Sequence, residues 1–500
     1  MASAQLNSAF ETLLAGISLD FLPGPTTWAM SRGPCEISNV RGRILKDIAR
    51  LHEKYGEVVR VGPDAVIFNN PDAWGEIYAH KPGKGVFPKD PLRHTRELWI
   101  HGAPDVFTAE DTDHPRLRRL INPAFSSKAL REQEPLIQAN VNLLITRLQE
   151  QMGSDSTGVV DMNEWINWTT FDLIGDLAFG ETFDCLKTGG YHPWVALICS
   201  SIKTVSILGS IKQWPWIEAV WQFLIGGIMI RAMRQFHQLV IEKVDRRLSR
   251  AKGRNDFLQS ILDHKDTEKS MTQDELYSNA ALLVMAGTET SATTLAGTIY
   301  HLARNQQVLL PLQDELRATF KSEDEMTFKT VSDIPNLLAA LHESMRMYPS
   351  VAVTNPRRVP KGGASVIGKW LPENTTVGTY QWVVYNSSTN FRDPGTFDPS
   401  RWQGNPYYEN DRREIFKPFS VGPKSCPQLL VMHGWMDFAD YSLNRLAYAE
   451  MQLILVKLIW KFDILLADEK NVWTDQKVHW SWMRVPLMIK LKERKGSLSK

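Results

Sequence analysis

Apolar residues recur every three or four positions through Leu45–Tyr55, Arg116–Leu130, Pro135–Gln151 and Trp165–Phe179, the spacing that lines one face of a helix. Between the first two of these the period shortens. Val58-Val59-Arg60-Val61 and Ala65-Val66-Ile67-Phe68 flank Gly62-Pro63-Asp64 and read as strand, turn and strand. Thr272-Gln273-Asp274-Glu275 is a capping box, with the threonine at the cap and the glutamate reaching back, and it opens a long helix to about Arg304. Another helix follows Pro335 and stops at Tyr348-Pro349. Strand-like segments return at Ser365-Val366-Ile367-Gly368 and Thr375-Thr376-Val377, separated by Pro372-Glu373-Asn374. No internal repeat and no low-complexity linker divides the chain. The pattern predicts one large, mainly helical domain with small β-sheets, an α+β fold.

Charge removes one class of partner. Lysine plus arginine number 57 and aspartate plus glutamate 56, so no global field gathers nucleic acid. Four cysteines, Cys35, Cys185, Cys199 and Cys426, are scattered without a CxxC pair, which fits a reducing compartment and argues against a disulfide framework or zinc site. The short segment 1–21 is interrupted by Asn7, Glu11 and Asp20 and is expected to carry no clear membrane anchor. Trp214–Ile230 concentrates aromatic and aliphatic residues over a length too short to span a bilayer. It reads either as an internal wall or lid, or as a surface that dips into a membrane interface.

Three local features carry candidate chemistry. Within the long helix, Ala286-Gly287-Thr288-Glu289-Thr290-Ser291 places glycine and hydroxyls where a helix former is expected, at a cost of up to ~1 kcal/mol for Gly287. This serves either close packing or a local widening that admits a small ligand or water. Glu343 and Arg346 share a helix face, and on an otherwise apolar helix they read either as a solvated pair or as a buried pair needing a third member, for which Arg401 is available. Pro418-Phe419-Ser420-Val421-Gly422-Pro423-Lys424-Ser425-Cys426 describes a tight loop that presents one sulfur, unless Cys426 is a plain core cysteine.

Four motifs in order decide between these readings: Ala286-Gly287-Thr288-Glu289-Thr290, Glu343-Ser344-Met345-Arg346, Phe397-Asp398-Pro399-Ser400-Arg401-Trp402, and Phe419 through Cys426. With Phe171–Gly180 and His114–Arg119 in support, the chain resembles a cytochrome P450, most of all the fungal secondary-metabolite members, from about Leu22 onward. The resemblance implies the P450 fold, with residues 22–500 as one catalytic domain around a buried haem b. It implies Cys426 as the thiolate ligand of the haem iron, in a loop whose Phe419 and Gly422 frame the cofactor and whose backbone N–H groups bond the sulfur. It implies propionate-binding cations at His114, Arg118, Arg357 and Lys424, the last often arginine in the family. Thr290 would hold dioxygen and water and Glu289 would feed protons. Glu343, Arg346 and Arg401 would form a buried structural network. The implied activity is monooxygenation of an apolar small molecule in secondary-metabolite biosynthesis, using O2 and electrons from NADPH through a cytochrome P450 reductase. The implied location is the endoplasmic reticulum surface facing the cytosol, or the cytoplasm if no anchor is present. Desaturation or ring closure by the same haem is the alternative chemistry.

One stretch departs from the resemblance. The family continues after its cysteine with an apolar residue and a glycine, and soon a helix of the form xxLAxxE. Here Pro427 follows Cys426, and the helix pattern returns only at Asn444-Arg445-Leu446-Ala447-Tyr448-Ala449-Glu450. The insertion 427–443 reads as a gene-model error, a tolerated outward loop, or a lesion leaving a haem-poor, inactive binder.

Overall fold

The computed structural model describes residues 19–79, 86–91, 100–192, 195, 203, 204, 206–250, 256–262, 270–427 and 446–494. Segment 1–18, and the insertion from residue 428 on, lie outside the described residues.

The central helix, Gln273–Arg304, packs against Met162–Phe179, Pro335–Met347 and the C-terminal helix Leu446–Lys461. Its start is the expected capping box: Glu275 N donates to Thr272 Oγ1 at 3.2 Å, and Thr272 N donates to Glu275 Oε2 at 2.8 Å. Met162–Phe179 buries nearly all its residues and so has no solvent face. It begins where Asp161 caps Asn163 N, and it ends at Gly180, whose φ of 68° gives the left-handed cap that glycine adopts without strain.

Two helix boundaries differ from the apolar pattern. The expected helix Arg116–Leu130 breaks: His114–Ile121 is followed by a 3-10 turn at Asn122–Phe125, and Ser126 then caps a new helix by accepting from Ala129 N. Pro123 lacks an N–H, while Ser126 supplies a cap, so the restart is local chemistry. The second helix runs unbroken from Ser127 to Ser154 and carries Pro135 in its interior, not at its start. Tertiary packing of Ile137, Val141, Leu144 and Leu148 overrides the local signal there.

The β segments form small sheets. Val58–Gly62 pairs antiparallel with Ala65–Phe68, Thr376–Gly378 runs parallel to the latter, and Arg357–Arg358 closes the edge. This sheet matters because it delivers Arg357 to the interior. Ala364–Val366 and Lys369–Leu371 make a hairpin, and Met488–Glu493 lies between Val159–Asp161 and Phe462–Leu466.

The Trp214–Ile230 patch lies at the start of the helix Pro215–Ser249. Trp216, Val220, Phe223, Leu224 and Ile228 are exposed, Phe223 at 89%, so the patch is an outer surface and not an internal wall. Among the described residues no single helix is long and apolar enough to cross a membrane, and one pair, Trp216–Ile228 with Ile230–Ser249, reaches that composition only across a bend of 53°.

Candidate active site

The buried-pair reading of Glu343 and Arg346 holds, and the third member is in place. Arg346 donates to Glu343 through Nε (2.9 Å) and Nη2 (2.8 Å), and Arg401 Nε reaches the same carboxylate at 3.3 Å, all three with fully buried side chains. Trp402 Nε1 and the Asp398 amide fill its remaining acceptor positions at 2.9 and 3.2 Å. The rest of Arg346 braces the loop ahead of the cysteine by donating to the carbonyls of Tyr385, Pro394 and Thr396. Burial alone would push the Glu343 carboxyl up, but Arg346 and then Arg401 outweigh it and hold the group below its usual range. Sequence reading missed Asp411, which takes a second ion pair from Arg401; no local spacing marks it.

The cysteine loop is closed by its own backbone. Cys426 N donates to Phe419 O at 3.1 Å and Ser425 N to Gly422 O at 3.0 Å, so Ser425 N, one of the Gly422–Ser425 groups expected at the sulfur, serves a carbonyl. Gly422 has φ 80°, and a Cβ there would lie 2.1 Å from the Tyr78 carbonyl oxygen, so only glycine fits. Arg118 donates to the carbonyls of Ser425 (2.6 Å) and Cys426 (3.3 Å). It therefore clamps the loop instead of standing free for an anion.

Beside the loop lies a nest of buried basic side chains. His114, Arg357 and Lys424, all expected from the sequence, meet Lys89, which was not. Burial, then Lys424 and Arg357, lower Lys89 to about 7, while Asp105 and Asp111 offset this only in part. Burial, then Lys89, Arg118 and Lys424, lower His114 to about 4. Burial also lowers Arg357, which is 2% exposed and has its Nη1 unpartnered among the described residues. Lys424 is lowered by burial too, although it pairs with Asp111. Cations that depress one another inside a protein lack sufficient counter-charge. Two carboxylates on a flat, apolar group would supply it, and the nest therefore fits the propionates of a haem.

Thr290 sits on an open stripe of the central helix. Leu282, Met285, Ala286, Thr290 and Thr293 share one face at helical spacing and retain exposure, while most of this helix is buried. No widening occurs: the helix is continuous, and Thr288 and Thr290 donate back to the carbonyls of Val284 and Ala286, each at 2.7 Å. Glu289 points from the same face, but its carboxylate is buried and held by Arg484, with Ser481 Oγ at 3.2 Å. Just behind it, Ser291 donates to Glu450, a fully buried carboxyl that burial pushes up to about 8. Two residues before Glu450, the Tyr448 ring lies 5.4 Å from that of Phe419. One turn of the C-terminal helix thus touches both the central helix and the cysteine loop. Arg484, Ser481 and Glu450 come from sequence far from the motifs, and only the xxLAxxE form hinted at the last.

A sequence profile of the family described as Cytochrome P450 matches residues 23–429. The chain is 39% identical over 478 residues to "Cytochrome P450 monooxygenase lcsI" of Purpureocillium lilacinum, spanning 95% of this chain and 89% of that protein. It is 39% identical to "Averantin hydroxylase" of Aspergillus parasiticus over 94% of this chain and 92% of that one. With "Cytochrome P450 monooxygenase stcF" of Emericella nidulans it shares 40% identity over 94% of both.

Proposed function

The chain belongs to the cytochrome P450 family and is a haem-thiolate monooxygenase of the fungal secondary-metabolite type, and from that premise we propose how its residues divide the work. When bound, the haem supplies dioxygen activation and transfer of one oxygen atom to substrate. Cys426 holds the iron through its thiolate, and Arg118 fixes the loop that presents it. Arg357, Lys424, His114 and Lys89 hold the propionates. Thr290, on the open stripe, positions water and dioxygen through its hydroxyl. Glu289 relays protons from the same face, its carboxylate aimed by Arg484 and Ser481.

The substrate is an apolar small molecule, a reading supported by the lining Met285, Ala286 and Leu282 and by the hydroxylase among the relatives. Electrons reach the haem from NADPH through a cytochrome P450 reductase. The exposed stripe Trp216–Ile228 rests against a membrane surface, at the endoplasmic reticulum facing the cytosol.

The observation that carries the assignment is the cysteine loop lying beside buried, mutually depressed cations. A reduced, carbon-monoxide-treated sample of the full chain tests it. The long-wavelength band of a thiolate-ligated haem is expected, and Cys426→Ala abolishes it; a band that survives the substitution means that another residue holds the iron.

A further inference from the structure

The turn of the C-terminal helix that joins the central helix to the cysteine loop carries Tyr448, whose hydroxyl has no part in the chemistry above. Tyr448 and His342 are both buried, at 2% and 3% exposure, and the Tyr448 hydroxyl lies 3.1 Å from His342 Nε2. The two rings meet edge-on at 5.6 Å, and Phe419 of the cysteine loop is next to Tyr448. On its other side His342 faces Trp402, also at 5.6 Å, and Trp402 is half-buried beside the exposed Gln403.

A phenol that loses an electron becomes a strong acid, so a buried tyrosine is oxidised only where its proton has an acceptor within hydrogen-bond reach. Two other deeply buried tyrosines provide the contrast. The Tyr348 hydroxyl meets the amide oxygen of Gln476 at 3.2 Å, and the Tyr385 hydroxyl accepts from the Lys417 amide at 2.8 Å. Neither partner is a base. His342 is one, provided that its neutral tautomer carries the proton on Nδ1.

We infer that Tyr448 and His342 form a redox-active pair that takes up an oxidising equivalent from the haem when no substrate consumes it, an inference that rests on the haem-thiolate reading. The oxidant is the equivalent that a hydroperoxide, or dioxygen with two electrons, would deposit on the bound haem, and one electron leaves the Tyr448 ring to consume it. The phenolic proton moves to His342 Nε2, leaving a neutral tyrosyl radical and an imidazolium. An external one-electron reductant such as ascorbate returns the electron, and the proton moves back. Trp402 is the ring leading toward solvent. Its indole N–H is held by Glu343, but Arg346 and Arg401 share that carboxylate, so a cationic indole is disfavoured and the radical rests on Tyr448.

The test uses the haem-loaded full chain without substrate, mixed with an organic hydroperoxide, freeze-quenched and examined by electron paramagnetic resonance. The expected result is a tyrosyl signal that narrows when ring-deuterated tyrosine is incorporated. It is lost in Tyr448→Phe, diminished in His342→Gln and retained in Tyr385→Phe, while each variant keeps the ferrous carbon-monoxide band. A normal band with no tyrosyl signal in the parent, or with an undiminished signal in Tyr448→Phe, overturns the pair's role. A parent protein without the band overturns the haem-thiolate reading itself.

Discussion

Glu343 and Arg357 stand at the centres of two buried charged clusters that are built differently. Around Glu343, two guanidiniums face two carboxylates, and the remaining donors largely reach backbone carbonyls. Around Arg357, cations face one another, and Lys89 and His114 are driven far below their usual values. The first cluster balances its charge with protein atoms alone, although Arg401 Nη2 has no hydrogen-bond partner among the described residues. The second has less counter-charge than charge among the described residues, and this contrast distinguishes the two clusters more clearly than burial does.

The contrast breaks most visibly at Glu343. Glu343→Gln leaves two buried guanidiniums without their shared carboxylate and is expected to destabilise the fold on the order of 3–5 kcal/mol, measured by denaturant unfolding. Arg357→Leu is expected to behave oppositely: the haem-free protein keeps its stability or gains some, while haem affinity falls about tenfold to a hundredfold in a haem titration. If Arg357→Leu unfolds the haem-free protein as severely as Glu343→Gln, the two clusters do the same job.

The pH dependence is smaller and specific to the nest. Lys89 lies at about 7 in the folded protein, below its unfolded value. Between these values the unfolded chain binds the extra proton, so stability rises with pH through that window. Below about 7 the lysine is charged in both states and the burial penalty is fully present. The haem-free protein should therefore gain stability as pH rises from about 7 toward 10, and Lys89→Met should flatten that rise in unfolding measurements. The smallest expected effect is at Lys424→Arg, which keeps the charge and adds a planar fork; a modest gain in haem retention over the parent checks it.

Sequence patterning reached the parts of this architecture that are local. The Thr272–Glu275 cap, the Glu343–Arg346 spacing and the Gly422 loop each lie within a few residues of chain, and each is found where its motif put it. Two helix limits failed because Pro123 and Pro135 look alike in sequence yet meet different packing. Lys89, Asp111, Arg484 and the Tyr448–His342 pair escaped notice because their partners are distant in sequence. Arg118 was named for its charge, but its direction, onto the Ser425 and Cys426 carbonyls, depended on a loop that spacing does not describe.

Whether the nest takes carboxylates is tested most directly by comparing haem with its dimethyl ester on the haem-free protein. In unbuffered calorimetry or dye titration just above pH 7, haem should bind more tightly than the ester and take up protons as Lys89 recharges against the propionates. The ester should take up none. Equal affinity for the two forms, with no difference in proton uptake, would contradict carboxylate binding by the nest.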